Sequence, residues 1–181
     1  MTRWVALLYS VVLTPARRVT AADLMQLAGR LAFCGAKTVL STGNLIFDDA
    51  GDEGSLTLRI EADILRHWGK PIPVLLRSAQ DWRALVAANP FPRESRHTPA
   101  QVGVRVMRIE PDGPRISEIA RKTSMEDRLA ASPRAVWVAS SGPLSLSPLL
   151  RAVGSAKLGV GTFRNASAIA KISAALAPAL D

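Results

Sequence analysis

Cysteine, histidine, aromatic side chains and long apolar runs are all scarce in this chain of 181 residues. Its one cysteine, Cys34, excludes an intramolecular disulfide framework and a Cys-rich zinc site. Two histidines, His67 and His97, are too few for a convincing metal cluster or a Cys-His pair. No stretch reaches the roughly 18 consecutive apolar residues of a membrane span, and no segment packs five or six basic residues together as a nucleic-acid-binding tail does. Phe, Tyr and Trp make up only 5% of the chain, so base-stacking platforms are few.

What the chain does have is apolar content, at 48%, enough for one sizeable core or two small ones. It also carries a net charge of +8, from 23 Lys and Arg against 15 Asp and Glu. Residues 1–91 hold 10 basic and 8 acidic side chains, net +2, and residues 92–181 hold 13 and 7, net +6. The excess therefore lies in the second half, as a solvated basic surface or as the footprint of an anionic partner.

Met1-Thr2-Arg3 followed by Trp4 to Leu13 has the outline of a signal peptide. Tyr9-Ser10 interrupts its apolar run, and Pro15 sits badly in a cleavage site. A buried first strand from Arg3 to Tyr9 and cytoplasmic residence are expected instead.

Val5-Ala6-Leu7-Leu8 does not alternate, as befits a strand covered on both faces. Thr20 and Asp23 open a helix whose stripe is Leu24, Leu27, Ala28 and Leu31, with Cys34 a small core residue at its end and Gly35 its left-handed stop. Strand signals at 38–40 and 45–47 flank Ser41-Thr42-Gly43-Asn44. Leu56, Ile60, Ile64 and Trp68 recur at helical spacing up to Gly69, and Pro71-Ile72-Pro73 leads into Val74-Leu75-Leu76. This order of strand, helix, strand, strand, helix, strand is the ferredoxin-like split βαβ pattern. Ser78 and Asp81 cap a further helix.

Residues 92–100, rich in proline and charge, read as a linker between a first subdomain at 1–91 and a shorter second one at 101–181. Val102, Val104 and Val106 alternate as a half-exposed strand. A helix follows Glu110-Pro111-Asp112-Gly113-Pro114. Residues 128–130 and 135–139 then read as strands, and short helices are expected around 146–153 and 169–176. The fold class expected is α+β: two ferredoxin-like subdomains, each an antiparallel sheet packed by helices.

Several phrases occur together in a specific order: Trp4 to Leu8, then Val39 to Phe47, Ala88-Asn89-Pro90-Phe91-Pro92, Gly154-Ser155-Ala156-Lys157-Leu158 and Arg164-Asn165. In this the chain resembles the bacterial family called domain of unknown function 1697. The resemblance implies two ferredoxin-like subdomains and assigns no biochemical role. It also marks departures. The family's first strand runs into an Arg-Gly-Ile-Asn-Val-Gly-Gly loop, whereas here Tyr9 to Arg17 contains no glycine. Only Gly159 to Phe163 separates the two C-terminal motifs, and Ala166-Ser167-Ala168 replaces the family's Trp-Asn-Thr.

Two groups of residues could carry chemistry. Ser41 and Asn44 either form a turn or present a hydroxyl and an amide to a small ligand; neither has an evident general base, so a nucleophile is not indicated. Lys157, Arg164 and Asn165 lie near a helix start with Gly159 and Gly161 between the two cations, so both cations could fold onto one anion, phosphate or carboxylate. Otherwise these residues form a solvated loop with Asn165 as a helix cap. The glycine spacing is not that of a P-loop. Asp48, Asp49, Asp52 and Glu53 lack the spacing of a calcium loop and solvate a turn.

The reading carried forward is a binding or interaction protein for a small anionic ligand. Ser41, Asn44, Lys157, Arg164 and Asn165 are its candidate binding residues, and no cofactor, metal or membrane partner is called for. One alternative is an enzyme with its site between the subdomains, built from Ser41, Asn44, Lys157 and Arg164. The other is weak nucleic-acid binding through the basic half, the least favoured because RRM-type aromatics are missing.

Overall fold

Burial of an apolar first strand sets the fold. In the computed structural model, which describes residues 1–40, 43–122 and 126–177, β1 (Thr2–Leu8) runs through the first sheet with Val5 to Leu8 almost wholly removed from solvent. A short hairpin follows, β2 (Val12–Thr14) and β3 (Arg17–Arg18), turning at Pro15-Ala16. It occupies the stretch that lacks the glycine loop, and it had no strand signal in the sequence.

Next come α1 (Ala21–Arg30), β4 (Cys34–Thr38), β5 (Asn44–Asp49), α2 (Glu53–Trp68) and β6 (Val74–Ser78). The sheet order is β4-β5-β1-β6, and every pairing is antiparallel. With its two crossing helices this is the ferredoxin-like arrangement expected from the strand–helix order. Trp4, Ala6, Leu8, Leu45, Phe47, Val74 and Leu76 face Leu24, Leu27 and Ala28 of α1 and Leu56, Ile60 and Ile64 of α2 in one core. Each such large side chain contributes about 1.5–3 kcal/mol when fully buried.

Local signals account for the helix starts. Thr20 and Asp23 form a reciprocal capping box on α1. The Asp52 carboxylate accepts from the Ser55 N–H at the start of α2, and Gly69 ends that helix at φ 68. Of the remaining acidic residues in that turn, Asp48 pairs with Arg3 and Asp49 with Arg59.

The end of α1 corrects two expectations. The helix stops at Arg30, and Ala32 rather than Gly35 takes the left-handed turn, at φ 55. Phe33 then stacks on Phe47 with ring centroids 3.9 Å apart, which draws the chain into the sheet. Cys34 consequently lies on β4 opposite Asp48 and is exposed, not a core residue. Gly35, at φ 54, sits at the register shift of β4, where a Cβ would come within 2.8 Å of Asp48 Oδ2.

The chain continues through α3 (Ala79–Ala87), α4 (Pro92–His97), β7 (Val102–Met107), α5 (Gly113–Arg121), β8 (Arg128–Ser132), β9 (Ala135–Ala139), α6 (Pro148–Val153), β10 (Gly161–Asn165) and α7 (Ala166–Leu176). Two compact units emerge. One comprises Met1–Arg83 together with Lys171–Asp181, and the other Ala84–Ala170. The break thus falls at Arg83/Ala84, ahead of the stretch 92–100 expected as a linker. In that stretch Pro92 opens α4, and its Glu94 pairs with Arg128. The segment after residue 170 returns to the first unit, where the indole N–H of buried Trp82 donates to Ser173 Oγ at 2.9 Å.

The second unit repeats the architecture, with sheet order β10-β7-β9-β8, again antiparallel throughout. Its core gathers Met107, Val136 and Val138 of the sheet with Ile116 of α5 and Leu149 and Val153 of α6. Here β7 departs from expectation, being buried along its whole length rather than half-exposed. Gly103 leaves room for Phe163, whose ring would lie 2.3 Å from an added Cβ, and Arg105 finds backbone acceptors inside the fold. β10 is a further strand where a loop was expected, since Thr162 and Arg164 mask its strand character.

No described helix is long and apolar enough to cross a membrane. Among the described residues, no three His, Cys, Asp or Glu side chains come together as metal ligands would.

Candidate functional site

A cleft of about 960 Å³ opens within the second unit, between α5, the end of β9, the 3₁₀ turn Leu144–Leu146 with the start of α6, and the 3₁₀ turn Ala156–Leu158. Its charged lining is Arg115, Glu118, Lys122, Asp127 and Lys157, three cations against two acids. Both acids are engaged. Lys122 Nζ lies 2.7 Å from Glu118 Oε1 and Arg115 lies 3.7 Å from Oε2, and Lys122 foremost holds the Glu118 carboxyl below the usual carboxylate range. One Asp127 oxygen accepts from the Ser141 N–H and the other from the Ser147 hydroxyl, each at 3.1 Å. The Ser147 hydroxyl in turn accepts from the Leu149 N–H and so caps α6.

Lys157 differs from its neighbours. It is exposed on the short turn, and its ammonium forms no ion pair or hydrogen bond among the described residues. The turn beneath it is held from the sheet. Arg105, only 2% exposed, donates to the carbonyls of Val153, Ser155 and Gly159, the last at 2.8 Å. Ser155 Oγ accepts from the Lys157 N–H at 3.2 Å. A buried guanidinium is a costly group made tolerable here by its carbonyl partners.

Of the candidates read from the sequence, Lys157 lies on this cleft and Arg164 does not. Arg164 belongs to β10, and its guanidinium turns back to Thr162 Oγ1 at 2.9 Å and the Phe163 carbonyl at 2.7 Å. Burial pulls its pKa down to about 10. Pairing with β7 made a strand of the glycine-flanked stretch, so the two cations do not fold back onto one pocket. Asn165 accepts from the Ala168 N–H at 2.9 Å and caps α7, the bland alternative for that residue. In the first unit, Asn44 is buried and its amide donates to the Val39 carbonyl at 2.9 Å. Ser41 lies outside the described residues.

Sequence reading missed Arg115, Lys122, Asp127 and Ser147, which come from three separate segments and share no motif. It also missed Arg105. The signal there was a charged residue inside the apolar run Val102 to Met107, which strict alternation turned outward.

Two ferredoxin-like units of α+β class, the second holding a cleft whose Lys157 ammonium has no partner among the described residues, define the protein structurally. The chain belongs to the family described as Protein of unknown function (DUF1697), whose model matches residues 1–137. The motifs at 154–158 and 164–165 thus lie beyond the matched region. A solved structure of similar fold is that of conserved bacterial protein SP0830 from Streptococcus pneumoniae, with a TM-score of 0.74 and 18% identity, covering 97% of this chain and 98% of that one. No curated protein matches the chain.

Proposed function

We propose that this protein binds a small anionic ligand in the cleft of its second unit, with Lys157 as the primary charge contact. The observation that carries this reading is the state of the five charged side chains there. Four engage one another or nearby hydroxyl and N–H groups, and the Lys157 ammonium alone lacks a partner among the described residues. A carboxylate or phosphate oxygen would complete it with a charge-assisted hydrogen bond. The excess of one cation over the acids of the lining favours an anion over a cation or a neutral polar ligand. Arg164 and Asn165 leave the proposed set, because their side chains have partners on β10 and α7. The basic second half supports the same reading.

The test is thermal unfolding with acetate or phosphate against chloride at matched ionic strength, in the parent and in Lys157→Ala. A ligand that binds only the folded state stabilises it by about 2.7 kcal/mol at 100 times its Kd. Excluded salts stabilise without binding, so the variant decides. An anion-specific rise in Tm that Lys157→Ala abolishes supports the site. An equal rise in parent and variant overturns it.

A further inference from the structure

The charges of the cleft leave most of its lining unexplained. Its floor is Leu149 and Leu158, both buried members of the second unit's core, with Ile119 packed against that core. One wall is Leu146, a leucine 77% exposed on the 3₁₀ turn Leu144–Leu146, flanked by Pro143 and Pro148. Lys157 and Leu158 are consecutive residues on one turn and both line the cleft, so the turn supplies it with a cation and with part of its apolar floor. A cavity of about 960 Å³ is far larger than one acetate or phosphate ion. An anion alone would leave the leucine wall and floor wet.

We infer that the ligand is an amphipathic monoanion, an aliphatic carboxylate whose head pairs with Lys157 and whose chain lies along Leu146, Leu149 and Leu158. This rests on the anion reading of the same cleft and adds the chemistry of the rest of the molecule. Single charge follows from the balance of the lining, three cations to two acids, with both acids and two of the cations already engaged. An apolar body follows from Ile119, the leucines and the two prolines, while Ser140 and Ser147 of the lining already donate to the Gly142 carbonyl and to Asp127; each methylene removed from water against the apolar groups strengthens binding up to about fourfold. Leu146 gains most, because it is the large apolar side chain of the lining that stands exposed.

The experiment is calorimetric titration with acetate, hexanoate and decanoate below micellar concentration at constant ionic strength, with decanol as the neutral control. Parent, Lys157→Ala and Leu146→Ser are compared. Both substituted side chains are exposed, so the variants keep the fold; melting curves verify it. Affinity is expected to rise at least tenfold from acetate to hexanoate and again to decanoate, with decanol much weaker. Lys157→Ala should weaken every carboxylate, and Leu146→Ser should weaken decanoate several-fold while leaving acetate unchanged. Acetate and decanoate binding equally, with loss of both in Lys157→Ala, overturns the amphipathic inference and leaves the anion site standing. Decanol binding as tightly as decanoate overturns the anion reading. A dependence on chain length untouched by either substitution, or no binding of any probe, overturns both.

Discussion

The guanidinium of Arg105 and the carbonyl of Gly159 are joined by a 2.8 Å hydrogen bond, so an inner strand of the second sheet holds the turn that presents Lys157. The Val153 and Ser155 carbonyls accept from the same guanidinium, leaving the turn little freedom to close or open the cleft. Replacing Arg105 by Met removes the donor from three carbonyls at once. Each group left buried without a partner costs about 1–3 kcal/mol. Removing the buried charge offsets part of that sum, so Arg105→Met is expected to lower stability by at least about 2 kcal/mol in urea denaturation, and Arg105→Lys by less, since one ammonium reaches fewer of the acceptors. Equal stability of Arg105→Met and the parent would show that the tether is dispensable.

Glycines on the two units should respond to alanine with opposite sign. At Gly161 an added Cβ would lie 2.5 Å from Met107 Sδ and 2.9 Å from the Val106 carbonyl. Overpacking of this kind costs about 1–3 kcal/mol, so Gly161→Ala should lower Tm. Gly29 lies inside α1 with nothing within 4 Å of a new Cβ. There alanine gains about 0.5–1 kcal/mol from helix propensity, and Gly29→Ala should raise Tm.

Exposure of Cys34 on β4 has a chemical readout. A thiol reagent such as a maleimide should modify the native protein about as fast as the denatured one. Labelling that waits for denaturant would return Cys34 to the core and contradict the strand placement.

The capping box of α1 predicts a pH effect. Partial burial acts to raise the Asp23 pKa, but hydrogen bonds from the Thr20 backbone and side chain, aided by Arg17, bring it below the ordinary carboxylate value. A carboxylate with a depressed folded-state pKa contributes stability above its unfolded pKa near about 3.9 and loses it as pH falls through the folded value. Asp23→Asn should cost about 0.5–1 kcal/mol at neutral pH, with the gap to the parent narrowing below about pH 4. A gap that stays constant down to acid unfolding would mean that the charge of Asp23 plays no part.

Periodicity made the regular parts of the fold legible. Leu56, Ile60 and Ile64 with Gly69 marked α2, the unbroken run Val5 to Leu8 marked a strand covered on both sides, and the element order gave the split βαβ topology. What stayed hidden depended on contacts distant in sequence. Ala32 took a turn that propensity assigns to Gly35 because Phe33 had Phe47 to stack on. Arg164 disguised β10, which exists through its ladder with β7. The cleft was least legible of all. Its lining is drawn from residues 115 to 158, and of these only Ser155, Lys157 and Leu158 stood in one of the recognised phrases. Whether that lysine was partnered depended on where Glu118 and Asp127 fell, which no local pattern encodes.

Because Lys171–Asp181 belongs with Met1–Arg83, the second unit is an insertion within the first. On the ribosome the acceptor for the Trp82 indole, Ser173, is made only after the whole of 84–170. The first unit therefore cannot reach its finished form as it emerges, although its sheet strands are all made early, whereas the second can complete its four strands from contiguous chain. Release of a nascent chain before residue 171 should leave the four strands of the second unit complete but α7 cut short and the Trp82 indole without its Ser173 acceptor.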